Sequence, residues 1–306
     1  YYNLGYCHFQ REQMADAESA FTQFIANYPT RDSYRGDALN RLGDAAYLER
    51  RFEDALTRYN QSIAVGGETQ HYAAYKRAVT LGILGRTTEK QQALQAIVRA
   101  GVGGHVEAAH YDLGRSYIAQ ERYREGASVL ESFVVRYASS SRLAQAYADL
   151  GLAYLNLGEK QKSLAAYNRV VESAPRSAEA REALQGIRDI YVSEGNVDAY
   201  FAYAERTGVE CDLSVVTRDS LSYRSAEKIY LAGKVDESIS HFENYIASYP
   251  KGYYIDDALF CLSDSYLKCD SLDRALERMK LLSDRPKNRY TLSVLDKLAT
   301  VTFGNK

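Results

Sequence analysis

The chain has 306 residues, with 38 Lys and Arg against 40 Asp and Glu. That balance, with no run of five like charges, argues against a nucleic-acid-binding surface. No apolar stretch reaches the ~18 residues that a membrane-spanning helix needs.

Apolar residues recur along most of the chain at i, i+3, i+4 and i+7, the spacing of one helix face. The chain opens inside such a pattern, with Tyr1 already at an aromatic position and neither an initiating Met nor a signal peptide. We read it as a segment of a longer array. FIANYPTRDSYRGDALNRLGDAAY then joins the first two helical pairs, with Pro29 where the first pair ends. Gly101 to Gly104 (GVGG) reads as a turn. FVVRYASSSRLAQAYADLGLAY and FENYIASYPKGYYIDDALFCLSDSYL are junctions of the same style as the first.

The clearest pair is Ala146 to Pro175. Tyr147, Leu150, Gly151 and Tyr154 share a face, Leu157-Gly158 caps the helix, and a second apolar face runs through Leu164, Tyr167, Val170 and Val171. Pro175 blocks further helix. With the Leu-Gly glycine as marker, the pattern recurs at Gly5, Gly43, Leu81, Gly114, Gly151, Ile187, Ala226 and Ser263. The spacings are 38, 38, 33, 37, 36, 39 and 37. Twelve residues after each marker stands a small residue: Ala17, Ala55, Ala93, Gly126, Ser163, Ala199, Ser238 or Ala275. Four residues later stands a large one: Phe21, Tyr59, Ile97, Leu130, Tyr167, Tyr203, Phe242 or Met279. Repeats 3 and 6 depart most, since their markers are Leu81 and Ile187.

Residues 205–222 are the best candidate for a kink, separating repeats 1–6 from repeats 7–8. Residues 289–303 read as one more helix, with Tyr290, Val294, Leu298 and Val301 on one side.

Three columns coinciding over eight units resemble the tetratricopeptide (TPR) repeat, over nearly the whole chain. The resemblance implies an all-α, right-handed superhelical solenoid of about eight helix-turn-helix repeats plus a terminal helix, in one array over residues 1–306. The junction style resembles TPR proteins of the bacterial cell envelope, which implies a periplasmic or outer-membrane-associated location.

Motifs of catalysis are missing. There is no HExxH, no phosphate-binding loop and no G-x-S-x-G. His105 and His110 stand roughly 140° apart around a helix, the wrong geometry for a shared metal. Leu231-Ala232-Gly233-Lys234 reads as the turn of repeat 7, and Asn60-Gln61-Ser62 as a chance sequon within a helix. Cys7, Cys211, Cys261 and Cys269 show no CxxC spacing and read as small buried hydrophobes or free thiols. We therefore expect no enzyme, cofactor or metal, and a protein or peptide partner. The alternatives are a structural spacer or an accessory module of a larger protein.

The resemblance also implies a concave groove lined by the first helix of each repeat. Carrying the family's groove positions onto this sequence gives Tyr6 and Phe9 in repeat 1. Repeat 2 gives Asp37, Asn40, Arg41, Asp44 and Tyr47, repeat 3 gives Tyr75, and repeat 4 gives Tyr111, Asp112 and Arg115. Repeat 5 gives Gln145, Asp149 and Leu152; repeat 6 gives Arg181, Gln185, Arg188 and Tyr191. Repeat 7 gives Tyr223, Arg224, Glu227 and Tyr230, and repeat 8 gives Asp257, Phe260 and Asp264. Tyr and Arg are the residue types enriched at interface hot spots. The Lys pair of the carboxylate clamp found in chaperone-binding TPRs is missing, which argues against a receptor of that kind.

Overall fold

The computed structural model describes residues 1–286 and 288–304, and side chains as far as residue 300 apart from that of residue 287. Val301 lies outside the described side chains. Among the described residues there are seventeen helices and no strand. The odd-numbered helices are α1 (Tyr2–Gln10), α3 (Ser33–Leu48), α5 (Thr69–Ile83), α7 (Val106–Ile118), α9 (Leu143–Asn156), α11 (Ala178–Ser193), α13 (Val215–Leu231), α15 (Ile255–Lys268) and α17 (Thr291–Gly304). The even-numbered ones are α2 (Met14–Asn27), α4 (Phe52–Val65), α6 (Thr87–Ala100), α8 (Tyr123–Arg136), α10 (Lys160–Ser173), α12 (Val197–Thr207), α14 (Val235–Ser248) and α16 (Leu272–Ser283). The helices form two compact units, Tyr1–Gly158 and Glu159–Lys306.

Each odd helix from α1 to α15 is followed after a short link by an even one. A residue with left-handed φ sits in that link: Glu12, Arg50, Gly85, Glu121, Gly158, Gly195, Gly233 or Asp270. In repeats 1, 2, 4, 5, 7 and 8 it comes seven residues after the marker. The prolines lie outside the helices, because Pro lacks the N–H that the helix interior requires.

The marker must be small for a steric reason. A Cβ on Gly5 would lie 2.7 Å from the Phe21 ring, one on Gly43 2.5 Å from the Tyr59 ring, and one on Gly114 2.6 Å from Leu130 Cγ. The partner is the large residue sixteen positions on, which is wholly buried in all three repeats. The twelfth position is the crossing of the two helices: a Cβ on Gly126 would meet Ile118 Cγ1 at 2.6 Å. Ala17, Ala55, Ser163, Ser238 and Ala275 at that position are all fully buried.

Repeats 3 and 6 follow a different register from the one their sequence suggests. Seven residues before Gly85 stands Ala78, which is fully buried, so Ala78 and not Leu81 holds the marker position. The crossing position is then Lys90, and Gly82 supplies the space: a Cβ there would meet Lys90 Cδ at 3.0 Å. Small and large have changed sides between the helices. Ala93, expected at the crossing, is only half-buried, while Leu94 is fully buried. In repeat 6, Gly195 places Arg188 in the marker position. Tyr200 and Ala204 follow at the twelfth and sixteenth positions, again large and small reversed. The corrected spacings are 38, 35, 36, 37, 37, 38 and 37, closer to uniform.

The cysteines are all free thiols, but none is fully buried; Cys7 is exposed and the other three are intermediate. Burial nevertheless pushes the Cys261 thiol up to about 11.

Candidate functional site

In the N-terminal unit the predicted groove residues lie on α1, α3, α5, α7 and α9, and side-chain contacts join each of these helices to the next. Tyr6 and Tyr2 both donate their hydroxyls to Asp37 Oδ2. Arg41 Nη1 reaches Asp44 Oδ2 at 2.7 Å, and its guanidinium lies 5.0 Å from the centre of the Tyr72 ring. Asp44 is buried and accepts from both Tyr59 and Tyr72 at 2.8 Å. Lys76 Nζ stands 3.7 Å from Asp44 Oδ1 and 4.5 Å from the Tyr47 ring centre. Burial opposes the charge on Arg41 most strongly of any single cause, but Asp44, Tyr72, Asp37 and Tyr6 together outweigh it and raise the guanidinium pKa. Asn40 is buried, donating to Thr69 O at 3.1 Å.

Further along, Tyr75 donates to Asp112 Oδ2 at 2.9 Å and stacks on His105 with ring centres 4.9 Å apart. Tyr111, which is buried, donates to Asp149 Oδ2 at 3.0 Å. In the corrected register these two bonds are the same bond: the residue three before one marker donates to the residue two before the next. Burial first, then the Asp112 charge, pushes the Tyr75 hydroxyl up to about 12. Arg115 Nε is 3.7 Å from Asp149 and its side chain is 62% exposed. Gln145 is exposed and Asp149 half-buried.

A second set of equivalent bonds ties α6, α8 and α14 to the odd helix that follows each. Gln95 Nε2 donates to the Tyr117 hydroxyl at 2.5 Å, Tyr154 donates to Glu131, and Tyr266 donates to Glu243. All three join the seventeenth position of one repeat to the third of the next, with Ala78 as the repeat 3 marker. Hydrogen bonds to charged groups are roughly twice as strong as neutral ones, so the bonds to Glu131 and Glu243 are the stronger fasteners, and Gln95–Tyr117 is their neutral counterpart.

In the C-terminal unit, Tyr230 donates to Asp264 Oδ2 at 2.6 Å and Lys268 reaches the same oxygen at 2.8 Å. Burial raises the Asp264 pKa, but the hydrogen bonds from Lys268 and Tyr230 outweigh it and hold the carboxyl below its usual range. Asp257 accepts from Arg289 and Tyr290. Tyr223 is buried, donates to Glu227 at 2.9 Å and stacks on Tyr254. Arg224 is exposed. Arg181, Gln185 and Arg188 line one small pocket of about 190 Å³ together with Tyr200 and residues 210–212. Arg181 stands 3.9 Å from Glu210 there, and Arg188 pairs with Asp189 at 3.2 Å.

The groove positions read from the sequence omit Tyr72 and Lys76 because they count from Leu81 and not from Ala78 in repeat 3. The spacing from Gly85 back to Ala78 is the signal that would have found them. Among the described residues no cluster of three His, Cys, Asp or Glu could hold a metal, and no helix is long and apolar enough to cross a membrane.

Residues 2–69 and 111–178 match the tetratricopeptide repeat family. A chain in the structure of Naa15/Naa10 bound to HypK-THB is similar to 99% of this chain at 12% identity and a TM-score of 0.55; the match covers 47% of that chain. A tetratricopeptide repeat protein from Parabacteroides merdae ATCC 43184 shows 16% identity and a TM-score of 0.49, covering 85% of this chain and 95% of its own. MamA 41-end from Desulfovibrio magneticus RS-1 shows 17% identity and a TM-score of 0.46, over 56% of this chain and 90% of its own. No curated protein matches by sequence. Among the described residues each unit is all-helical, and the tetratricopeptide matches fall on residues 2–69 and 111–178.

Proposed function

We propose that this chain is a non-catalytic scaffold that binds a protein or peptide partner on the odd-helix face of its N-terminal unit. Tetratricopeptide repeats generally mediate protein–protein interaction, and their scaffold is typically non-catalytic. The observation that carries the reading is the continuity of that face. Tyr6–Asp37, Arg41–Tyr72, Lys76–Asp44, Tyr75–Asp112 and Tyr111–Asp149 link five successive odd helices through buried and half-buried aromatic and charged side chains. A surface whose side chains are already held loses little further entropy when a partner docks. The residues still offering reach are Arg115, Gln145, Tyr47 and Lys76, while Tyr111, Asn40 and Asp44 support them from beneath. The finer proposal, a role in bacterial envelope assembly or maintenance, rests on the junction style of the sequence alone.

Affinity capture with the intact chain tests this. Arg115→Glu with Lys76→Gln alters the face; Arg58→Glu on α4 serves as the control. A partner kept by the control and lost by the double variant supports the reading. Retention by the double variant, at an unchanged melting temperature, contradicts it.

A further inference from the structure

We propose that the N-terminal unit carries a binding site for a free aliphatic monocarboxylic acid, beside the odd-helix face. A pocket of about 480 Å³ opens between α4, α5, α6 and the 101–105 link. That lies within the ~300–1,000 Å³ of ordinary small-molecule sites. Its apolar wall is made by Ile63, Ala74, Ala96, Ile97, Ala100 and Val102. Its polar lining is Gln70, His71, Arg77 and His105, with no carboxylate.

The sequence explains why the space exists. Ala93, Ala96 and Ala100 follow the i, i+3, i+7 spacing of one helix face, so α6 turns a row of methyl groups towards the pocket. Gly103, at φ 94°, lets the link fold down on α5: a Cβ on it would stand 2.7 Å from His71 Cβ. This brings Val102, which is 54% exposed, to the mouth.

The charge is one-sided. Arg77 makes no salt bridge with any described residue. Glu89 feels its charge but is already held by Arg86 at 2.7 Å. His105 has its pKa lowered by burial and by Lys76, and so stays neutral near pH 7. One uncommitted guanidinium beside an apolar wall fits one carboxylate on an aliphatic body. Gln70, Ala74 and Arg77 lie on the side of α5 opposite Tyr72 and Lys76, while His105, stacked on Tyr75, joins the pocket's rim to the proposed partner face.

The test titrates decanoate, below its micellar range, into the full chain carrying 13C-labelled alanine methyls, with decanol and decyltrimethylammonium as comparison probes. The expected result is saturable shifts at Ala74, Ala93, Ala96 and Ala100. Arg77→Gln should weaken decanoate ~10- to 100-fold, the value of a charge-assisted hydrogen bond. Ala96→Phe, at an exposed site, should abolish the shifts at an unchanged melting temperature. The proposal is overturned if decanol binds as tightly as decanoate or if both variants bind like the wild type. It is equally overturned if the methyls do not saturate, or if only a peptide with a free hydrophobic C-terminus shifts them.

Discussion

Tyr111 on α7 donates its hydroxyl to Asp149 on α9, thirty-eight residues along the chain and 3.0 Å away. The ring fills space between the two helices, and its polar tip finds a charged acceptor at the edge of that space. This is how a buried tyrosine avoids the cost of an unmatched hydroxyl.

Removing only that tip isolates the bond. Tyr111→Phe keeps the packing and should destabilise the N-terminal unit by about 1–2 kcal/mol, the range for a hydrogen bond to a charged group. Tyr111→Ala also leaves a cavity, and should cost about 3–5 kcal/mol. Urea unfolding followed by circular dichroism reads both. Equal losses for Phe and Ala would show that the ring contributes nothing, contrary to its burial.

Alkaline pH attacks the equivalent bond. Tyr75 titrates near 12 when folded, against about 10 when unfolded. The folded value is the higher one, so its stabilisation is intact below pH ~10 and is lost as pH rises towards 12. The melting temperature of the wild type should fall through that window, and that of Tyr75→Phe should fall less. Parallel decline of the two curves would remove Tyr75 from the account.

Helix crossings give a paired test of register. Ala275 is fully buried where α15 and α16 cross, so Ala275→Leu should cost roughly 1–3 kcal/mol by overpacking. Ala93 was expected in the same role but borders the pocket beside α6, so Ala93→Leu should change stability by no more than about 0.5 kcal/mol. Thermal melts of both variants check this. A large loss at Ala93 would restore the Leu81 register.

Most of the fold was legible because the marker, crossing and large positions lie within one hairpin, where helical periodicity relates them directly. Gly43 and Tyr59 are sixteen residues apart, and their contact follows from two faces turned together. The fasteners were not legible. Tyr75–Asp112 and Glu243–Tyr266 join different repeats, and their spacing depends on link lengths that no periodicity reports. Repeat 3 misled for a related reason: Gly82 and Lys90 exchange small for large, so a search for small residues slid three places to Leu81. The face residues were named from position alone, which separates neither Tyr111 and Asn40, buried by neighbouring repeats, from Arg115, which stays in water.

The most direct test of partner binding on the odd-helix face is site-specific photo-crosslinking in cells. Benzoylphenylalanine would replace Tyr47 on α3, with Asn60 on α4 as the comparison site. The account predicts a discrete crosslinked partner from position 47, lost with Arg115→Glu and Lys76→Gln, and none from position 60. A partner captured from position 60 and not from position 47 would contradict it.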